Sequence, residues 1–297
     1  MAYVIGLVPE ITIGLFNNIF IVSVIVFDFY KEKHISSSNK LLLFIAISNV
    51  SYNIVISAGL LDKFIAPQAS STFVLSSMYI ILLLYSISSC AWLSAGLGAF
   101  YFLKISQARR LSWVKTHIDS IVPWLVLALE VVSFISGFLC SFLLISPQNS
   151  FRNVLDGPLL MMKVLEKNSL KLINATIVVT SMPFMFIFIF TVCIVWTLKE
   201  HSRQMERSMG PEDNGRLTPY EGVVRRMNHF LYFYIILYIS MLILYFSIIS
   251  RFWMSLLLMS SFTPLQSLFL IGIDIRLREA WKEVTLRCML RALMWRQ

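Results

Sequence analysis

Seven long apolar runs limit what this chain can fold into. A helix of about 20 apolar residues crosses the hydrocarbon core of a bilayer. Runs of that kind lie near residues 5–29, 41–61, 73–103, 118–145, 172–198, 228–250 and 252–273. Because 58% of the residues are hydrophobic and only 14% are charged, too few polar side chains remain to cover a water-soluble globule. The sequence therefore predicts an all-α membrane protein with a single domain, residues 1–297, built as a bundle of seven transmembrane helices.

The lysines and arginines lie mainly on one side of this predicted bundle. If the N-terminus is outside, 19 of these 25 residues fall in cytoplasmic segments and six in outer segments. Cytoplasmic segments of membrane proteins are enriched in them. The sequence therefore predicts a multi-pass protein of the cell membrane with an outside N-terminus and a cytoplasmic C-terminus. Contact with anionic membrane lipid then explains the net charge of +9, and no nucleic acid is expected as a partner.

A basic segment follows the last apolar run. In "IRLREAWKEVTLRCMLRALMW" leucines, tryptophans and methionines alternate with arginines, which is typical of an amphipathic helix lying on the membrane. We expect this surface helix over about residues 275–294. Cys288 lies in it and is a candidate for palmitoylation. The other three cysteines lie inside predicted spans, so no disulfide to an outer loop is expected.

Groups that catalyse reactions or bind metals are scarce and scattered. The four histidines lie far apart or at membrane edges, and the sequence has no glycine-rich phosphate loop, nucleophile elbow or HExxH motif. Glu130 is the one acidic residue well inside a predicted span, whereas an ion or proton pathway usually uses several. We therefore expect no catalytic residues, no ion pump, no metal site and no cofactor.

The stretch "FYFLKIS" ends the predicted third helix on a lysine. Tyr101 and Lys104 are three residues apart and share one face of that helix, at its cytoplasmic end. One interpretation is a lysine that extends to the lipid headgroups beside an interfacial aromatic residue. The other is a contact surface for a cytoplasmic protein.

Five stretches resemble, in the same order, parts of the type 2 taste receptors, which are bitter taste receptors. "PEITIGLFNNIFI" looks like their helix 1, "DFYKEKHISSSNKLLLFIAIS" like their first inner loop and the start of helix 2, and "FYFLKIS", at a fixed distance after Trp92, like helix 3. "PF" followed by "WTLKEHSRQM" is similar to helix 5, and "SLFLIGIDIRLRE" to helix 7. The resemblance covers nearly the whole chain. It departs at Asn49, where the family usually has arginine, and at Gln266, where it has histidine.

The resemblance implies a G protein-coupled chemosensory receptor. A small, mostly apolar bitter agonist would bind between the outer halves of helices 2, 3, 5, 6 and 7. The candidate ligand-binding residues are Ile80, Leu83, Leu84, Ile87 and Ser88 on helix 3, Tyr238 and Tyr245 on helix 6, and Leu256 and Met259 on helix 7. Because this set contains no charged residue, we expect uncharged or weakly polar agonists to outnumber strong cations.

The resemblance also implies a heterotrimeric G protein as the cytoplasmic partner, with a gustducin-like α subunit. The candidate contacts are Tyr101, Lys104, Ile105, His201, Met205, Arg226, Arg276 and Arg278. A polar contact between helices is expected among Asn18, Asn49 and Ser267, where the Asn49 amide stands in place of the family arginine. Asn174-Ala-Thr, at the start of helix 5, is either a glycosylation acceptor or a structural asparagine.

Two other functions stay open from the residues alone. The first is a vomeronasal type 1 receptor, to which "FYFLKIS" and the helix 1 pattern are less similar. The second is a seven-helix transporter or membrane scaffold without G protein coupling. Inverted repeats or broken helices would support a transporter, and the sequence shows neither.

Overall fold

The computed structural model describes residues 2–33, 35–65, 73–105, 116–145, 169–208, 231–243 and 251–294. Within these ranges the chain forms eight helices and no strand. The helices are α1 (Ala2–Glu32), α2 (Ser37–Ile65), α3 (Phe73–Ile105), α4 (Ile118–Ile145), α5 (Ser169–Ser208), α6 (Leu231–Ile243), α7 (Arg251–Ile273) and α8 (Ile275–Met294). The prediction of an all-α chain is confirmed for these residues.

Six of the eight helices are long and apolar enough to cross a membrane, namely α1, α2, α3, α4, α5 and α7. The described part of α6 is apolar but shorter, because residues 228–230 and 244–250 of the predicted sixth span lie outside the described residues. The count of seven spans therefore remains a prediction. Helix α5 continues past the predicted end at residue 198, through the charged segment up to Ser208.

Helix α3 lies at the centre of the bundle. It packs against α2, α4 and α5, while α1 packs against α2 and α7. In the membrane-crossing part of α3, 72% of the residues are buried, against 28% in α4. Large apolar side chains of α4, such as Trp124, Phe134 and Phe142, are accordingly exposed at the perimeter, as expected of a surface that faces lipid.

Gly14 allows α1 to approach α2 and α7 closely. A Cβ atom at this position would lie 2.7 Å from Thr263 Oγ1 and 2.9 Å from Asn53 Nδ2. The Thr263 hydroxyl donates to Asn53 Oδ1 at 3.1 Å and joins α7 to α2. Small residues at helix contacts bring backbones together in membranes, where dispersion forces and hydrogen bonds drive association.

Two apolar cores stabilise the bundle. The first core lies towards the N-terminal ends of α1, α3, α5 and α7 and includes Leu7, Ile56, Leu83, Leu84, Leu172 and Leu256. The second core lies towards the opposite ends of α1, α3 and α7, also involves α2, α4 and α8, and includes Ile25, Leu42, Leu93, Leu97, Leu270 and Leu277. Polar side chains lie between the two cores, and they surround the candidate site.

Helix α8 is attached to both α7 and α1. Asp274 Oδ1 accepts hydrogen bonds from the backbone N–H groups of Arg276, at 2.9 Å, and Leu277, at 3.2 Å, so it caps the start of α8. Trp281 packs edge-on against Phe20, with ring centroids 5.0 Å apart. These contacts hold the first two turns of α8 against the bundle.

Candidate ligand-binding cavity

A cavity lies near the middle of the bundle, between α2, α3, α5, α6 and α7. Its lining consists of Tyr52 on α2; Ile87, Cys90 and Ala91 on α3; Thr176, Thr180, Phe184 and Ile187 on α5; Tyr234, Leu237, Tyr238 and Met241 on α6; and Met259 and Phe262 on α7. Its volume of about 60 Å³ is room for a few water molecules. Five separate helices therefore contribute to one enclosed site.

The cavity lining has no acidic or basic side chain to pair with a charged ligand. None of its lining residues is Asp, Glu, Lys, Arg or His. Within the described ranges, no three His, Cys, Asp or Glu side chains come together as a metal site would need. Binding in such a cavity depends on the burial of apolar surface and on a few hydrogen bonds.

Aromatic rings form two walls of the cavity. Phe184 of α5 and Tyr238 of α6 are stacked, with ring centroids 4.6 Å apart and planes at 2°. Tyr234 of α6 meets Phe262 of α7 edge-on at 5.8 Å. Aromatic pairs in these geometries stabilise packing beyond the area that they bury. The position of α6 relative to α5 and α7 is therefore linked to the shape of the cavity.

Gln266 joins the cavity wall to two further helices. Its Nε2 donates to Ser94 Oγ of α3 at 2.5 Å and lies 3.4 Å from the hydroxyl of Tyr234, which lines the cavity. Gln266 is fully buried on α7. This amide therefore links α3, α6 and α7 directly beside the site.

A second polar contact starts at Cys90. The Cys90 thiol donates to Asn49 Oδ1 at 3.0 Å, and Asn49 Nδ2 donates to Asn18 Oδ1 at 3.1 Å. Both asparagines are fully buried. The chain of hydrogen bonds runs from the cavity across α3 and α2 to α1.

The same network extends to α4 through serines. Ser48 donates to Ser89 at 2.9 Å, and Ser89 donates to Glu130 Oε1 at 2.9 Å. Tyr85 donates to Glu130 Oε2 at 2.7 Å. Ionisable residues inside membranes usually face the protein interior and have polar partners, and Glu130 fits that pattern as the acceptor that joins α4 to α3.

The eight predicted ligand-binding residues that the structure describes have three kinds of surroundings. Ile87, Tyr238 and Met259 line the cavity. Four others pack in the first core instead: Ile80, Leu83, Leu84 and Leu256. Ser88 faces α4, because its hydroxyl lies 2.7 Å from Ser136 Oγ. Tyr245 lies outside the described residues.

The cavity lies about one helical turn deeper along α3 than the predicted site. The prediction was centred on residues 80–88, whereas the lining of α3 runs from Ile87 to Ala91. The prediction included helices 2 and 5 in the site but named no residue on either, so Tyr52 and the lining residues of α5 were not identified. A signal for α5 was present, since Thr176, Thr180, Phe184 and Ile187 recur at helical spacing and form one stripe.

At the far end of α3, Tyr101 and Lys104 have different surroundings. Tyr101 is half-buried, with its hydroxyl 3.4 Å from Ser38 Oγ of α2. It also packs, as Ile105 does, against Ile194 and Leu198 of α5. The Lys104 side chain is exposed. Among the residues that the structure describes, the end of α3 therefore presents an exposed lysine beside a packed tyrosine.

The remaining candidate contacts are only partly described. Arg276 is exposed and lies 4.0 Å from Asp28 of α1, whereas Arg278 is half-buried. Arg226 lies outside the described residues. His201, Met205 and Cys288 lie on helices, but their side chains are outside the described part of the chain.

Ser267 and Asn174 have surroundings that the sequence did not indicate. Ser267 is fully buried, but its hydroxyl donates to the Pro264 carbonyl of its own helix at 2.8 Å and not to Asn18 or Asn49. Asn174 is exposed in the second turn of α5, which begins at Ser169, earlier than predicted. Glycosylation acceptors are expected in surface loops, so this helical position favours a structural asparagine.

Comparisons with known proteins give matches along nearly the whole chain. The family model described as Taste receptor protein (TAS2R) matches residues 1–289. Taste receptor type 2 member 39 of Homo sapiens is 24% identical over 310 residues, covering 97% of this chain and 88% of that protein. Taste receptor type 2 member 9 of Macaca mulatta is 30% identical over 138 residues, covering 46% and 44%. Taste receptor type 2 member 8 of Pongo pygmaeus is 24% identical over 263 residues, covering 82% and 81%.

Proposed function

Because the chain belongs to the taste receptor (TAS2R) family, we propose that it is a G protein-coupled receptor of the cell membrane that detects small bitter-tasting molecules. Seven helices cross the membrane, with the N-terminus outside and the C-terminus in the cytoplasm, as the distribution of lysine and arginine favours. The family match favours this function over the vomeronasal and transporter alternatives.

The observation that carries the proposal is the cavity between α2, α3, α5, α6 and α7. It is lined by aromatic, aliphatic and hydroxyl side chains and by no charged residue. Uncharged or weakly polar molecules bind such a surface by burying apolar area, and the thioether side chains of Met241 and Met259 adapt to different shapes. We therefore expect most agonists to be uncharged, and a panel in which only cations activate would contradict this.

Activation follows from the contacts beside the cavity. A ligand shifts an existing equilibrium only by binding one state more tightly. A molecule that moves Tyr234 changes its 3.4 Å contact with Gln266, and thereby the packing of α6 on α3 and α7. The cytoplasmic ends of α3, α5 and α6 then separate and admit the C-terminal helix of a gustducin-like α subunit, which contacts Lys104 and its neighbours.

A matched pair of substitutions tests whether the cavity is the agonist site. Ala91 lines the cavity, whereas Ala128 is exposed on the perimeter of α4. The added ring of Ala91→Phe fills the cavity, and the same ring in Ala128→Phe faces lipid. The measurement is calcium release in cells that co-express a gustducin-like α subunit, with a panel of uncharged and cationic bitter compounds and surface expression checked by antibody.

We expect wild-type and Ala128→Phe receptors to respond in a concentration-dependent manner and Ala91→Phe to be silent at equal surface expression. Mock-transfected cells and cells without the α subunit are the negative controls. Equal responses of the two variants would place the agonist elsewhere. A wild-type response that persists without the G protein would contradict the proposed coupling.

A further inference from the structure

Tyr52 lines the cavity and has a buried hydroxyl without a hydrogen-bond partner. Its side chain is 2% exposed, and its Oη is paired with no residue that the structure describes. Buried polar groups in native proteins are nearly always hydrogen-bonded, since an unpaired one is destabilising. Tyr52 therefore belongs to the cavity lining and carries a buried donor that has no acceptor among the described residues. A ligand that widens the cavity at Tyr52 can supply that acceptor.

Three other polar groups of the lining already have partners. The hydroxyls of Thr176 and Thr180 donate to carbonyls of their own helix, at 2.9 Å and 2.8 Å. The Cys90 thiol donates to Asn49. Among these four lining groups, Tyr52 is the one with an unused hydrogen, and it lies on α2, whereas the stacked aromatic pair lies on α5 and α6.

The rest of the lining determines which chemical groups a ligand can carry besides the hydrogen-bond acceptor. Phe184, Tyr238 and Phe262 offer ring faces and edges on which an aromatic molecule packs. A charged ligand would be desolvated there without a counter-ion, which is costly. An uncharged acceptor such as a ketone oxygen has a much smaller desolvation cost and pairs with a phenol donor.

We infer that the cavity selects uncharged aromatic molecules that carry an acceptor oxygen, and that Tyr52 donates the hydrogen bond to this oxygen. This inference rests on the proposed function, whose binding site it assigns to a chemical class. Tyr52 is thus a specificity-determining residue: it discriminates between molecules of the same shape with and without the oxygen.

Benzophenone and diphenylmethane are suitable probes, because they share two phenyl rings and differ in a carbonyl oxygen against a methylene group. Two rings exceed the cavity volume of about 60 Å³, so either probe binds only when the lining moves apart, which the flexible side chains of Met241 and Met259 allow. The purified full-length chain in lipid nanodiscs is titrated with each, and dissociation constants are obtained from the concentration-dependent rise in melting temperature. We expect benzophenone to bind about three- to tenfold more tightly, as a single neutral hydrogen bond provides. The substitution Tyr52→Phe should remove this preference by weakening benzophenone alone.

Tyr79→Phe is the matched control. Tyr79 is buried in the same first core but does not line the cavity, so its loss should leave the preference unchanged. Folding of Tyr52→Phe is checked without ligand: its melting temperature should equal or exceed that of the wild type, because the substitution removes an unpaired buried hydroxyl. The inference is overturned if the wild type binds both probes equally, if it binds neither, or if Tyr52→Phe keeps the preference.

This binding assay contains no G protein, so the two proposals can fail separately. A preference that depends on Tyr52, together with no calcium response in cells, would uphold the inference and contradict the receptor function. A calcium response that Ala91→Phe abolishes, together with equal binding of both probes, would uphold the receptor function and contradict the inference.

Discussion

Asn49 is fully buried and bonds two helices at once. Its amide donates to Asn18 of α1 and accepts from Cys90 of α3. In hydrocarbon no water replaces a lost partner, so removal of the amide would leave Asn18 Oδ1 without this donor and the Cys90 thiol with only Ser48 Oγ, 3.3 Å away. The contact with Asn18 was expected from the sequence, whereas the contact with Cys90 was not. A cysteine within an apolar run looks the same in the sequence whether its thiol donates a hydrogen bond or only packs.

Truncation of Asn49 should destabilise the protein measurably. We expect Asn49→Ala to lower the free energy of unfolding by about 1–2 kcal/mol, since hydrogen bonds between membrane helices contribute up to about that much. The measurement is thermal unfolding of the purified chain in nanodiscs. Ser57→Ala, on the same helix, is the control, because its hydroxyl donates only to the Asn53 carbonyl of α2. Equal destabilisation by the two substitutions would show that the interhelical contacts contribute little.

At the scale of the helix, the sequence predicted α3 but not which neighbour each of its faces contacts. A regular stripe distinguishes the buried side of a helix only where another side faces solvent or lipid. Because 72% of the α3 span is buried, its residues face different neighbours all round: Leu84 the first core, Ser88 helix α4, and Ala91 the cavity. The sequence alone therefore did not separate the α3 residues that line the cavity from those about one turn nearer the start of the helix.

The contact between α3 and α4 depends on a glycine. A Cβ atom at Gly137 would lie 2.8 Å from both Cα and N of Tyr85, which are backbone atoms that cannot turn aside. Gly137→Ala must therefore move α4 away from α3, and it weakens the hydrogen bonds from Tyr85 and Ser89 to Glu130 as well.

We expect Gly137→Ala to cost about 1–3 kcal/mol of stability, as overpacking of a tight contact does. The comparison is Gly272→Ala on α7, where nothing lies within 4 Å of the added methyl group. That substitution should be neutral or slightly stabilising, because alanine favours the helix. Melting temperatures of both variants are measured in nanodiscs, and an unchanged value for Gly137→Ala would disprove the close approach.

At the scale of the whole molecule, the cavity and the C-terminal end of α3 belong to one bundle but have different surroundings. Lys104 is exposed and free to contact a partner, whereas Tyr101 packs in the second core and against α5. The two interpretations of "FYFLKIS" therefore differ most clearly at the lysine.

If the lysine contacts the G protein, Lys104→Ala should reduce signalling without affecting stability. An exposed charge pair contributes up to about 1 kcal/mol, which corresponds to about a fivefold loss of affinity for the α subunit. The measurement is G protein binding and calcium release at matched surface expression. Tyr101→Ala should in addition lower the melting temperature, because it removes packing. Full signalling by Lys104→Ala would contradict a contact with the G protein and leave the interpretation that Lys104 contacts lipid headgroups.

The sequence by itself determined the helical class, the approximate span boundaries and the family, because hydrophobic length and short motifs are local properties of the chain. The helix predicted for residues 118–145, for example, is Ile118–Ile145. Only the tertiary structure decided which side chains meet: that Ser88 faces α4, that Tyr52 lines the cavity with its hydroxyl unpaired among the described residues, and that Gln266 joins Ser94 to Tyr234. These outcomes depend on the rotation and depth of helices that are apolar on every side, and no periodicity in one helix encodes the position of its neighbours.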